Sequence, residues 1–201
     1  LSAKIRVTSA GICVKKLFKT ITMEQLKETT TNSISVITIG ATKEEGGSRK
    51  NAVKIGGQTA MPYLFKEGQI PHRPVIAIEV WDVPPTDWPE PLNKEYLDVY
   101  SDTVAWAKKA VQDCNADLVC LKLYGANPDS KNKSADDCAK VVRDVLKAVD
   151  VPLIILGSGD DAKDNLVLPA ACEAAKGERV LVGDAVRDNY KTLTVAVLAD
   201  G

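Results

Sequence analysis

An acid and a base stand in phase on two neighbouring apolar segments. Glu79 lies in VIAIEVW, residues 75–81, and Lys122 lies in DLVCLKL, residues 117–123. Read as strands, the segments turn Ile76, Ile78, Val80, Val119, Leu121 and Leu123 to one side. Val75, Ala77, Glu79, Trp81, Leu118, Cys120 and Lys122 then share the other. A buried charge without a partner costs several kcal/mol, so Glu79 and Lys122 are expected to pair. The pair is a structural ion bridge, or Lys122 is a Schiff-base nucleophile of the kind found in aldolase-like barrels. No aldolase acid–base partner follows the second segment, and borohydride trapping with carbonyl substrates tests the Schiff base.

A second set of reactive groups follows the apolar segments. Asp82 comes after the first, and Tyr124, Asn127 and Asp129 after the second. Gly157, Ser158, Gly159, Asp160, Lys163 and Asp164 follow a third, and Asp184 and Asn189 a fourth. Ligands of α/β sheets and barrels bind at such strand exits. The candidate cofactor contacts are Asp82, Tyr124, Asn127, Gly157, Ser158, Gly159, Asp160 and Asp184. The run GSGDDAKD is the densest: Gly157 and Gly159 let backbone approach a ligand, and Ser158 offers a hydroxyl. The same run also reads as a polar turn into a helix capped by Asp164. Trp81 and Trp88 pave the first exit, cover the mouth of a barrel, or meet a second subunit.

Four strand-then-helix units position these groups. Strands are expected over 75–81, 117–123, 151–157 and 178–183. Helices are expected over 102–114, 135–149 with Ser134 as cap, 165–175 stopped by Gly177, and 190–199. Such spacing demands crossover connections and therefore parallel pairing. Two earlier strands, 34–39 and 50–56, flank GATKEEGGSR and read as a β-hairpin; Gly46 and Gly47 serve its turn, or cradle a phosphate. The residues 82–93, DVPPTDWPEPLN, between the first strand and its helix read as loop. The expected class is α/β, TIM-barrel-like, with about four βα units of a partial barrel behind an N-terminal hairpin. The expected division is 1–33 with a short helix capped by Thr22, 34–73 as hairpin and loop closing the barrel, and 74–201 as half of a (β/α)8 barrel. A full barrel needs eight units and roughly 250 residues.

Composition narrows the partners. The 201 residues carry a net charge of −1, which points to neither nucleic acid nor an anionic membrane surface. No apolar run approaches the ~18 residues of a membrane span. The first residues lack the pattern of a signal peptide, so the expected location is the cytoplasm. The five cysteines, Cys13, Cys114, Cys120, Cys138 and Cys172, show no C-x-x-C spacing and read as buried free thiols. His72, the one histidine, sits between prolines and reads as a turn residue.

The segments GATKEEGGSRKNAVKIGG, RPVIAIEVWD, DTVAWAKKAVQDCNADLVCLKLYGANPD, VPLIILGSGDDAKDNLVLPAA and GERVLVGDAVRDNYKTL occur in this order. Together they resemble the small (delta) subunit of the corrinoid iron–sulfur protein of the CO dehydrogenase/acetyl-CoA synthase system, over roughly residues 36–199. The resemblance implies a TIM barrel whose strand exits face a corrinoid. The corrinoid (cobamide) lies at the interface with a large subunit that also holds a [4Fe–4S] cluster. It implies methyl transfer from a methyl-tetrahydropterin, through a methyltransferase and the cobalt, to acetyl-CoA synthase. It further implies that this chain is not catalytic alone and that four further βα units follow in the family. The chain has neither a cysteine set for a cluster nor an Asp-x-His-x-x-Gly pattern for a cobalt ligand, which fits a helper role. The rival readings are a stand-alone barrel enzyme, either a pterin-dependent methyltransferase or a Schiff-base aldolase, and a purely structural partner.

Overall fold

The computed structural model describes residues 32–61 and 68–200. The expected Thr22-capped helix and Cys13 lie outside the described residues. Strands β1 (Ile37–Ile39) and β2 (Val53–Ile55) pair antiparallel, with Ile39 opposite Val53. The expected hairpin is therefore present, with shorter strands. Its turn is a 3-10 turn, Lys43–Glu45, ended by Gly46 at φ +91. A side chain at Gly47 would collide with the Ala41 carbonyl, so the glycines serve the turn's backbone.

Strands β3 (Ala77–Trp81), β4 (Leu118–Lys122), β5 (Leu153–Leu156) and β6 (Leu181–Gly183) form one parallel sheet in chain order. Helices α1 (Glu90–Tyr96), α2 (Thr103–Gln112), α3 (Ala135–Ala148), α4 (Asp161–Ala174) and α5 (Tyr190–Asp200) run between and after them. Helix α1 falls where a loop was expected. Pro89 and Pro91 disguised it, yet proline is tolerated before and within the first turn, where no N–H needs an intrahelical acceptor.

Period-two alternation sorts the sheet's two faces as expected. Val80, Val119, Leu121, Leu153 and Ile155 are buried against the helices, with Trp106, Val142, Val145, Val167 and Leu168. Trp106 is fully enclosed, and Trp88 and Tyr96 meet its ring at 5.3 and 5.8 Å. On the opposite face, Ile39, Val53 and Leu118 form a smaller core with Ile55, Val75 and Ile154. The hairpin thus packs at the end where the parallel strands begin.

Arg49 fastens it there. Its buried guanidinium donates to the carbonyls of Leu146, Val149 and Val151, to the Ser48 hydroxyl, and through Nε to Glu178 at 2.8 Å. All five of its N–H groups find acceptors, and its charge sits at the negative end of α3. Arg179 forms a second bridge to Glu45, at 2.9 Å. Two edges of the parallel sheet stay open among the described residues. Ile76 beside β3 is 62% exposed, and Val195 and Leu198 of α5 are 69% and 79% exposed.

Candidate functional site at the strand exits

The parallel order brings every predicted rim residue to one end of the sheet, and hydrogen bonds join each exit to the next. The Asp82 side chain is fully buried. Its Oδ1 accepts from the Gly125 N–H at 2.7 Å, and Lys133 Nζ donates to its Oδ2 at 3.0 Å and its carbonyl at 2.7 Å. These bonds tie the β3 exit to the β4 exit. Asn127 then donates through Nδ2 to the Ser158 carbonyl at 3.1 Å, tying the β4 exit to that of β5. The Gly157 N–H donates to the Gly183 carbonyl at 2.8 Å, which continues the chain to β6.

Within the GSGDDAKD run, Asp164 is not the helix cap. Asp160 caps α4 by accepting from the Lys163 N–H at 2.8 Å. The helix therefore starts at Asp161, four residues earlier than expected, and Asp164 sits in its first turn. From there its Oδ1 accepts from the Ser158 N–H and hydroxyl, both at 2.7 Å, and its Oδ2 from the Gly159 N–H at 3.2 Å. Asp164 packs so close to Gly157 that any side chain there would strike its carboxylate. Asn189, also buried, accepts from the Val186 N–H and donates to the Asp184 carbonyl, fixing the β6 exit.

Glu79 and Lys122 share the face assigned to them, but they do not form an ion pair. The sheet register explains this: Glu79 lies opposite Cys120, and Lys122 lies opposite Trp81. The Trp81 indole occupies the space between the two charges. Its Nε1–H donates to Glu79 Oε1, and the Lys122 ammonium stands 5.5 Å from its ring centroid. Tyr124 stacks on Trp81 at 5.1 Å, tilted 39°, and Trp88 meets it edge-on at 6.4 Å. The face is open at this level, so Glu79 is solvated and needs no cationic partner. Cys120, half-buried below the rim, has its thiol pushed up to about 11, by burial first and by the Glu79 carboxylate second. It is no nucleophile at neutral pH.

The rim thus has two kinds of residue. Asp82, Gly157 and Ser158 are buried and committed to internal bonds. Tyr124, Asn127, Gly159, Asp160 and Asp184 keep surface toward solvent. His72 lies at the opposite end, ahead of β3. Among the described residues no cluster of three His, Cys, Asp or Glu side chains could hold a metal ion, and no helix is long and apolar enough to cross a membrane.

The sequence profile of the CO dehydrogenase/acetyl-CoA synthase delta subunit matches residues 37–200, which contain every rim residue just described. The chain belongs to that family. It is 37% identical over 198 residues to the acetyl-CoA decarbonylase/synthase complex subunit delta of Methanocaldococcus jannaschii, covering 98% of this chain and 48% of the relative. It is 44% identical over 153 residues to the subunit of that name from Methanothermobacter thermautotrophicus, covering 76% of this chain and 39% of the relative. For the Archaeoglobus fulgidus subunit the identity is 38% over 165 residues, covering 82% and 36%. The chain spans about half or less of the length of these relatives.

In this delta-subunit chain one rim residue, Lys133, carries no signal in the sequence, and Asp164, named there among the strand-exit groups, holds a different role from the cap expected of it. Lys133 lies just before the Ser134 cap and reads as ordinary loop polarity; nothing in its spacing points to Asp82. Asp164 was assigned the cap because it precedes the apolar positions of α4. The glycine at 157 was the available signal, since it leaves room for a side chain folding back over the turn.

Proposed function

We propose that this chain is part of a delta subunit that helps carry a methyl group from a methyl-tetrahydropterin to acetyl-CoA synthase, with the strand exits as its working face. The observation that carries the reading is the family match across residues 37–200, where the tied rim lies. We read the four βα units as part of a TIM-like barrel. The uncovered β3 edge and the exposed apolar residues of α5 support this, since a closed barrel leaves no such edge. Its partners in this reading are a large corrinoid and iron–sulfur subunit, a methyltransferase and acetyl-CoA synthase, all in the cytoplasm.

The rim suits a corrinoid as a cover suits its vessel. When bound, that group supplies a cobalt that accepts and releases a methyl group. In this reading the metal's own ligands come from the corrinoid subunit. Tyr124 and Trp81 present flat apolar surface. Asp160 and Asp184 would accept from amide groups of the kind that fringe a corrin ring, and Gly159 would let backbone approach it closely. Asp82, Asn127, Gly157 and Ser158 hold these contacts in place and, with the aromatics, exclude water.

The test is co-expression of the full-length protein with its large corrinoid subunit, followed by pull-down and metal analysis. Cobalt in the two-subunit complex, with none on the delta subunit alone, is the expected result. A stable complex without cobalt, or tight methyl-pterin binding by the delta subunit alone, refutes the reading; the second outcome favours a stand-alone methyltransferase.

A further inference from the structure

We infer that Glu79 and Lys122 are positioning residues for Trp81, which they fix as a rigid, planar contact for a flat apolar ligand face at the β3–β4 exit. The inference rests on the methyl-carrier reading for the identity of that ligand. The clamp itself rests only on geometry.

Three constraints meet on one indole. Glu79 precedes Trp81 by two residues on the same strand, so both side chains leave the same face, and the carboxylate accepts the Nε1–H. Lys122 is the in-register neighbour of Trp81 on β4. Its ammonium stands over the ring at 5.5 Å, within the range of a cation–π contact. Tyr124, two residues beyond Lys122, stacks at 5.1 Å. A hydrogen bond sets the direction of the ring edge, and the ammonium and phenol set its plane. Neither Glu79 nor Lys122 has an ion-pair partner among the described residues. The indole is the side chain that both of them touch. A tryptophan held this way meets a ligand without losing side-chain freedom on binding. Trp81 keeps part of its surface toward solvent at the rim, and that uncharged surface is what it offers a planar apolar ligand.

The test uses the full-length protein in complex with its corrinoid subunit, in Trp81→Phe, Trp81→Ala, Glu79→Ala, Lys122→Met and Lys122→Arg forms. Subtracting the Trp81→Phe near-ultraviolet dichroism from that of the native complex isolates the Trp81 band. Glu79→Ala and Lys122→Met are expected to erase most of that band, while Lys122→Arg, which retains the cation, keeps it. Cobalt retention through gel filtration is expected to fall about tenfold in Trp81→Ala and about threefold in Glu79→Ala and Lys122→Met, the scale of one lost aromatic or cation–π contact. It stays near native in Lys122→Arg. A native-like Trp81 band, or native cobalt retention, in both Glu79→Ala and Lys122→Met overturns the inference. A native complex that assembles without cobalt refutes the methyl-carrier reading instead, and the dichroic band then decides the clamp by itself.

Discussion

Lys133 closes on Asp82 from 51 positions further along the chain, its ammonium 3.0 Å from the carboxylate and 2.7 Å from the carbonyl. The Asp82 side chain has no exposure, whereas that of Lys133 keeps 26%. Replacing Lys133 by Met leaves a buried carboxylate with one backbone donor. The expected loss is about 3 kcal/mol, or about 6 to 12 °C in melting temperature. Changing Asp82 to Asn as well should recover part of it, because the charge goes with the cation. A double-mutant cycle followed by thermal melting checks the coupling.

Acid should unfold the protein along a predictable limb. Asp117 is held below its ordinary 3.8 by the Arg73 guanidinium, Asp137 by the Ser134 hydroxyl, and Asp98 by the Lys109 ammonium. A carboxyl whose folded value is depressed binds fewer protons in the native state than in the unfolded one. Its contribution is whole above pH 3.8 and disappears as pH falls through the lower folded values. Melting curves between about pH 5 and pH 2 should show this loss, and Asp137→Asn should flatten it.

The thiols predict the opposite sign at high pH. Burial pushes Cys138 up to about 12 and Cys172 up to about 11, from an ordinary 9.0. The unfolded thiols ionise first, so stability from these groups is complete below pH 9.0 and falls as pH rises toward 11 and 12. At about pH 8 neither should react with iodoacetamide until denaturant is added. Mass mapping of the alkylated cysteines reads this directly, and labelling of either one in the native protein is the contrary result.

Trp106 separates volume from polarity. Its ring is fully enclosed, yet its Nε1–H has no hydrogen-bond partner among the described residues. Trp106→Ala should cost about 3 to 5 kcal/mol through the cavity it leaves. Trp106→Phe should cost much less, about 1 kcal/mol, because it also removes an orphaned donor. Denaturant melts of the two variants check the gap, and equal losses contradict it.

Strand phase was legible because period two leaves little choice: Val80, Val119 and Leu121 are apolar at every second position, and they face the helices. Ser134 was legible as a cap, and it accepts from the Asp137 N–H. The partners of Glu79 and Lys122 were not legible. Phase shows which face a residue takes, whereas register decides its neighbour, and register placed Trp81 beside Lys122. The rim bonds were hidden for a related reason. Asp82 and Lys133 meet only through the way two loops fold over one sheet edge, and Asp164 turned inward because Gly157 left room, which no cap preference records.

The fastening of the hairpin constrains how the chain is made. Arg49 emerges from the ribosome early, but Val149, Val151 and Glu178 follow it by 100, 102 and 129 residues. Until they are synthesised its guanidinium has none of these acceptors, and Ile39 and Val53 have no sheet to cover. Contacts of such long sequence separation slow folding, so the ribbon docks only after the strands and helices that carry its acceptors. Until then Ile39 and Val53 stay exposed, the kind of surface that makes folding intermediates prone to aggregate.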